Sequence, residues 1–286
     1  MPQLRIICLA HPAAWSYVAR DLHTLEQKIL ALNPSSNIWL KLDAEKGKRR
    51  GIYKVEKLEG TNHIVLRFVA ESEVKEDYKS LEQLLKEEGY LSMDVKTPTP
   101  VPLASKALLF LDLKQGVCYV FVPGRPPKIE FILETLCLLG RDTGIPSRNA
   151  RLFEWKELHA VKIAEIARKE GFTPYKTRAD LETVTITAVG DLEYNEKWKK
   201  VQRSLDLGEW KTLAYIKSTD KELIVFGLTK NRNKVISMPI MDRNISLKEL
   251  LRMILKTREL IEKALNCDIR QYCFPEPIKP LSSFMR

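Results

Sequence analysis

The stretch from residue 107 to residue 140, ALLFLDLKQGVCYVFVPGRPPKIEFILETLCLLG, constrains the fold more than any other part of the chain. Two strand-like runs, ALLFLDL and VCYVFVP, flank the polar turn KQG, in which Gly116 can take a positive φ. Pro126 and Pro127 suit the first turn of a helix, and the apolar spacing after them continues to Gly140, where we expect the helix to end. The segment therefore predicts a β-hairpin followed by a helix.

The same hairpin-then-helix order recurs in two other parts of the chain. Residues 51–89 contain two β-rich runs around Gly60 and then a helix, and residues 212–267 contain up to three strands and the longest predicted helix. Because a strand pair cannot bury its own apolar face, each helix is expected to cover the strands before it. The sequence predicts an α+β fold with largely antiparallel, twisted sheets and helices on their faces. Its ββα-like units reflect either an approximate internal repeat or the chance recurrence of a common arrangement.

The remaining periodicities predict the other elements. We expect a strand at 4–10 and then one continuous amphipathic helix at 11–33, which His11 could cap. The rest of the expectation comprises strands at 37–43 and 181–190, basic loops at 45–51 and 141–151, and helices at 80–89, 153–171, 194–205 and 246–267.

The domain boundary with the clearest signal is the segment MDVKTPTPVPLAS at 93–105, which carries three prolines in alternation and should be extended. The chain then divides into an N-terminal α+β part at 1–92, this connector, and a C-terminal α+β part at 106–286. One continuous domain is the alternative.

The charge balance points to the class of partner. Lys and Arg number 47 against 37 Asp and Glu, a net charge of +10, which favours a polyanion and nucleic acid above all. The alternative is a basic enzyme with a well-solvated surface. The basic residues that cluster between predicted elements are Lys46, Lys48, Arg49, Arg50, Arg125, Lys128, Arg141, Arg148, Arg151, Lys197, Lys199, Lys200, Lys230, Arg232 and Lys234. Such turn residues can supply phosphate contacts without reading bases.

Most catalytic and metal-binding signatures are missing from the sequence. The 5 cysteines form no C-x-x-C pair, and the 4 histidines form no H-E-x-x-H pattern, so we expect no metal. No Walker motif or glycine-rich phosphate loop is present, so we expect no cofactor. No apolar run approaches the roughly 20 residues that span a bilayer, and the N-terminus does not resemble a signal peptide. These observations predict a cytoplasmic protein with no membrane partner.

One enzymatic alternative remains, a metal-dependent nuclease. Such enzymes use carboxylates to hold a divalent cation and a lysine to stabilise charge. The triplet Asp112-Leu113-Lys114 at a predicted strand end makes Asp112 and Lys114 the catalytic candidates. In a chain with 29% charged residues such triplets also arise by chance, and Asp112 is equally an ordinary turn residue.

The central segment FLDLKQGVCYVFVPGRPPKIEFILETL resembles the strand–turn–strand–helix of the RdgC family of recombination-associated DNA-binding proteins. The resemblance depends on the apolar residues before Asp112, Gly116 at the turn, the strand to Val122, and a helix beginning near Lys128 and Glu130. It covers about 30 residues closely; elsewhere only the order of elements is similar, and the N-terminal part departs from the family pattern. The resemblance implies a non-enzymatic homodimeric ring that binds duplex DNA without sequence preference.

The sequence thus predicts a sequence-nonspecific nucleic-acid-binding protein, with DNA preferred over RNA and a possible homodimer. Recombination, repair or defence against mobile DNA would be its setting. The alternatives are the nuclease and an interaction or assembly subunit of a nucleoprotein complex.

Overall fold

The computed structural model describes residues 2–32, 40–43, 48–72, 103–181, 184–189, 210–219, 222–229, 232–238 and 245–275. Within these ranges twelve strands form one sheet, and every pairing is antiparallel. Helices pack on both faces of the sheet, so the fold is α+β.

The strands are short to medium in length, and several are joined by tight turns. Their bounds are β1 Gln3–Cys8, β2 Leu40–Asp43, β3 Lys48–Lys57, β4 His63–Ser72, β5 Leu103–Asp112, β6 Val117–Val122, β7 Arg151–Leu152, β8 Thr173–Leu181, β9 Val184–Val189, β10 Trp210–Thr219, β11 Glu222–Thr229 and β12 Ile236–Ser237. Their order across the sheet is β2-β3-β4-β5-β6-β1-β12-β11-β10-β8-β9, and β7 pairs with β1 beside β12.

The α-helices of the described ranges are α1 Pro12–Val18, α2 Leu22–Leu30, α3 Ile129–Thr143, α4 Glu157–Lys169, α5 Leu247–Leu265 and α6 Ile269–Cys273. Helix α5 begins with a capping box, in which the Ser246 side chain accepts from the Glu249 backbone N–H and the Glu249 carboxylate accepts from the Ser246 N–H. This helix and the hairpin β5–β6 confirm two of the strongest sequence patterns.

The sheet separates two cores because successive side chains on a strand point to opposite faces. On β6, Tyr119 and Phe121 belong to the core that α4, α5 and α6 cover. The neighbouring Cys118 and Val120 belong to the core that α1, α2 and α3 cover. The hairpin β5–β6 therefore lies between the two helical layers, and its ends lie close to both.

Three boundaries differ from the sequence prediction. The helix expected over 11–33 is interrupted by a 3₁₀ turn at Ala19–Asp21, after which Asp21 caps α2 by accepting from the Thr24 N–H. The loop expected at 45–51 is wrong from Lys48 onward, because those residues form the start of β3 paired with β2. The third difference is the end of helix α3, whereas Gly116 in the β5–β6 turn takes the positive φ that the sequence predicts.

Helix α3 ends later than the sequence predicts. It continues past Gly140 and ends at Gly144, which takes the left-handed conformation with φ of 86°. Gly140 is instead inside the helix, where the backbone of Ile145 and the side chain of Ser147 pack against it. Arg141 is therefore a helical residue and not part of the loop predicted over 141–151. A glycine in an apolar pattern can serve close packing as well as helix termination.

Several predictions lie outside the described residues: the helices at 80–89 and 194–205 and most of the connector at 93–105. The last residues of that connector, from Leu103, are the beginning of β5. Strand β5 pairs along its whole length with β4, from His63↔Asp112 to Ser72↔Leu103, so one sheet includes strands from both predicted parts of the chain. Among the described helices, none is long and apolar enough to cross a membrane.

Candidate nucleic-acid interface

Two of the basic clusters predicted from the sequence meet at one end of the sheet. Strand β3 begins at Lys48 and β6 ends at Val122, and the pairings through β4 and β5 place both points at the same end. There the guanidinium of Arg50 lies 4.2 Å from the ring centroid of Phe131, on the first turn of α3. The ammonium of Lys128 lies 5.9 Å from the same centroid. We call Arg50, Arg125, Lys128 and Phe131, with Glu134, the Phe131 patch.

The Phe131 patch carries a surplus of positive charge. Arg50 is paired with Glu134 at 2.8 Å, which offsets one cation. Arg125 and Lys128 are both exposed, and neither makes an ion pair with a described residue. Cations held over an aromatic ring gain attraction from the ring face and keep their remaining N–H donors free for an anion. Because both are exposed and unpaired among the described residues, Arg125 and Lys128 are available to a polyanion.

The remaining described residues of the prediction do not join this patch. Arg141 pairs with Asp142 at 3.0 Å at the far end of α3, and Arg148 is exposed in the loop that follows. Lys234 pairs with Glu154 at 2.7 Å, whereas Arg232, two residues earlier, is exposed. These residues lie towards the opposite end or the middle of the strands.

Arg151 connects β7 to the segment that follows α6. Its guanidinium donates to the carbonyl oxygen of Cys273 at 3.0 Å and lies 4.8 Å from the ring centroid of Phe274. It lines a cleft of about 470 Å³ with His11 and Asn149, on one side of α1. The contacts fix the segment after α6 against β7.

Five of the predicted basic residues, Lys46, Lys197, Lys199, Lys200 and Lys230, lie outside the described residues. Lys48 and Arg49 lie in β3, opposite Asp43 and Leu42, and only their backbone is described.

The two catalytic candidates occupy different surroundings. Lys114 is exposed at the tip of the β5–β6 turn. Asp112 is buried, 4% exposed, and its carboxylate accepts from the backbone N–H of Gln115 at 3.0 Å. Its other oxygen is 3.6 Å from His63 Nε2 and 3.9 Å from Arg258 Nη1. Within the described ranges no group of three His, Cys, Asp or Glu side chains is placed to hold a metal ion.

Asp112 belongs to a buried polar network that the sequence did not reveal. Arg258 of α5 is 5% exposed and donates to the Tyr119 hydroxyl at 2.7 Å. It also donates to Glu262 at 2.7 Å through Nη2 and at 2.9 Å through Nε. Burial raises the pKa of Tyr119, so this hydroxyl stays protonated and accepts from the arginine. The network ties α5 to strands β5 and β6.

His63 completes the network as a neutral side chain. It is 8% exposed, and burial lowers its pKa, with the charge of Arg258 acting in the same direction and Asp112 opposing it. Neither ring nitrogen has a hydrogen-bond partner. The sequence signal for this network is Arg258 itself, a lone cation in the apolar stripe of α5 between Ile254 and Ile261. This signal alone does not predict burial, because arginine usually lies at the surface.

Comparison with known proteins adds no family. A scan against protein-family models and a search of curated proteins both found no match to the chain.

Proposed function

We propose that the protein binds DNA without sequence preference, in recombination, repair or defence against mobile DNA. The observation that carries the proposal is the Phe131 patch, where Arg50 and Lys128, from two basic clusters more than 70 residues apart in the sequence, lie against one aromatic ring. The net charge of +10 supports it, because a surplus of that size raises the local concentration of a polyanion at the surface.

The chemistry of the patch suits phosphate and not base edges. Arg125 and Lys128 are exposed around a proline-containing turn, where both side chains can contact backbone phosphates. No recognition helix projects from this end of the sheet in the described ranges, since Lys128 immediately precedes α3, whose apolar face packs on the sheet. The proposal is therefore phosphate neutralisation, with affinity that falls steeply as salt rises.

The test is binding of labelled duplexes by fluorescence anisotropy at several salt concentrations. The double variant Arg125→Ala/Lys128→Ala should weaken binding equally for unrelated sequences. It should also reduce the log–log salt slope by about 1.8, since each lost phosphate contact contributes about 0.9. The matched control is Lys248→Ala/Arg252→Ala, which removes two exposed cations of α5 outside every predicted cluster.

Equal slopes in the parent, the patch variant and the control would exclude the Phe131 patch as the interface. Strong discrimination between duplexes of equal length would contradict nonspecific binding.

The alternatives are separated in the same experiment. The nuclease hypothesis requires cleavage that EDTA abolishes, and the buried position of Asp112 does not favour it. An assembly subunit would show no binding even at low salt. The RdgC resemblance and the homodimer stay predictions, and gel filtration with multi-angle light scattering measures the oligomeric state.

A further inference from the structure

A second basic surface lies at the opposite end of the strands from the Phe131 patch. It is a cleft of about 380 Å³ beside α1, lined by Arg20, Lys114 and Arg270 together with Pro12, Ser16 and Ala19. The three cations come from the 3₁₀ turn after α1, the β5–β6 turn and helix α6. None of the described residues lining it is acidic. We call it the α1 cleft.

The cations of the α1 cleft differ in how firmly they are held. Arg270 is fixed, because it pairs with Asp268 at 2.5 Å and donates to the carbonyl oxygen of Gln115 at 3.0 Å. Lys114 is exposed and makes no ion pair with a described residue. The acidic neighbour of Arg20 is Asp21, whose carboxylate accepts from the Thr24 N–H and caps α2. Arg20 and Lys114 therefore have no ion pair among the described residues, whereas Arg270 is held in place by Asp268.

The floor of the cleft is rigid because buried contacts hold the β5–β6 turn. The indole N–H of Trp15 donates to the carbonyl oxygen of Leu113 at 3.0 Å, and the N–H of Leu9 donates to that of Gly116 at 2.9 Å. The carboxylate of Asp112 accepts from the Gln115 N–H. A rigid frame spares an anion much of the ordering cost that flexible lysines would impose.

An exposed aromatic ring stands next to the cleft. Tyr17 is 68% exposed, although it is large and apolar, and the Arg20 guanidinium lies 4.9 Å from its ring centroid. Arg20 therefore lines the cleft and also contacts the ring. Cations that track phosphate beside an aromatic ring that can stack on a base form the arrangement by which proteins bind single strands.

We infer that the α1 cleft binds a phosphate of a single nucleic-acid strand while Tyr17 stacks on an adjacent base. The inference rests on the proposed function and adds the form of the ligand. In a duplex every base is already stacked on its neighbours and paired, so Tyr17 can stack only on an unpaired base. The chain then has two surfaces with different tasks: the Phe131 patch for backbone charge and the α1 cleft for a single strand or a frayed end.

The test measures anisotropy of a labelled oligothymidylate of about ten nucleotides, and of a duplex of the same length, at low salt. Tyr17→Ala should weaken oligothymidylate binding by about fivefold or more and leave duplex binding unchanged, whereas Tyr17→Phe should retain binding. Arg20→Ala/Lys114→Ala should lower the single-strand salt slope by about 1.4, at about 0.7 per contact. The control is Leu158→Ala, the removal of another exposed apolar side chain, 63% exposed on α4.

Each outcome decides the matter. If the parent binds oligothymidylate and the Tyr17 and Arg20/Lys114 variants bind it equally well, the cleft inference is wrong while nonspecific DNA binding stands. If Tyr17→Ala weakens duplex and single strand alike, base stacking is excluded. If the parent binds neither probe, both proposals are overturned. Melting temperatures of the variants, all at exposed positions, show that each protein is folded.

Discussion

The two faces of the sheet are stabilised in different ways. Under α1, α2 and α3 the core is aliphatic and aromatic, and the buried polar groups of α3 and its C-terminal turn are hydroxyls that donate to backbone carbonyls, such as Thr135 to Phe131 and Ser147 to Leu136. Under α5 and α6 the core also contains Arg258 and Asp112, two ionisable side chains that are almost fully buried. The first face can tolerate many apolar repackings, whereas the second depends on particular partners.

The face under α5 and α6, which we call the charged face, is connected to the α1 cleft, which lies at the end of the sheet between α1 and α6. Arg258 lies 3.9 Å from Asp268, and Asp268 holds Arg270 at the cleft. On the other side of the network, Asp112 fixes the turn that presents Lys114. Such a buried network adds little net stability compared with apolar residues of similar volume, but it can position surface residues. This difference between the faces leads to four predictions.

The largest effect is expected at Arg258. Arg258→Met fills similar space but leaves Asp112 and Glu262 without their cation, so the free energy of unfolding should fall by about 3–5 kcal/mol. Urea unfolding followed by circular dichroism measures it. Arg252→Met on the exposed side of the same helix is the control and should change stability by less than about 0.5 kcal/mol. A loss below about 1 kcal/mol would contradict the view that Arg258 is desolvated and hydrogen-bonded to buried partners.

The next effect is expected on the apolar face. Leu136 of α3 is 1% exposed, and Leu136→Ala should reduce the free energy of unfolding by about 3 kcal/mol through lost burial and a residual cavity. Leu136→Met conserves volume and should lose less than about 1.5 kcal/mol. If both faces behave alike, conservative apolar changes at Leu136 will be as damaging as Arg258→Met, and the contrast fails.

The elements with a continuous apolar pattern are the most predictable part of the fold from sequence, whichever face of the sheet they cover. The apolar runs of β5 and β6 and the apolar stripe of α5 indicate a hairpin and a helix because such patterns are a local property of the sequence. The sequence does not locate the end of α3, because either Gly140 or Gly144 could terminate a helix and only packing against Ser147 distinguishes them. The charged residues Lys48–Arg50 favour a loop in the local sequence. They form a strand because they pair with β2, and the local sequence does not show that pairing.

The candidate site was less predictable than the fold. The sequence gives the basic residues but not which of them meet, since Arg50 and Lys128 reach Phe131 only through the order of strands in the sheet. Arg20 and Arg270 belong to no cluster in the sequence, and both line the α1 cleft because the 3₁₀ turn after α1 and helix α6 lie at the same end of the sheet. Long-range pairing of this kind has no local signature.

A smaller effect is expected where the two faces meet, at Gly116. This residue has a φ of +68°, and a Cβ added there would overlap the ring of Trp15. Gly116→Ala should therefore lower the free energy of unfolding by about 2 kcal/mol, from the strained backbone and the displaced indole. Gly60→Ala is the control, because Gly60 has a φ of +76° with open space around it and reports the backbone strain alone. Equal losses at the two glycines would show that Trp15 yields without cost, and the cleft floor would then be less rigid than its contacts indicate.

The smallest effect is a pH dependence confined to the charged face. Burial lowers the pKa of His63 in the folded protein, so below the ordinary imidazole pKa of about 6.5 the unfolded chain binds a proton that the folded protein does not. Stability should therefore fall as pH drops from about 7 to about 5, with a contribution of at most about 1.4 kcal/mol per pH unit, and be unaffected above about 7.5. The groups that face His63 are Asp112, Arg258 and Tyr119, and Asp112 alone opposes the shift of its pKa.

His63→Asn removes this titration. The difference in free energy of unfolding between the parent and this variant, measured by urea unfolding across that pH range, therefore isolates the contribution of His63 from those of the other histidines. A difference that grows in favour of the parent as pH falls would mean that Asp112 outweighs burial and that His63 is charged in the folded protein, and the face would then hold an ion pair where a neutral ring is expected.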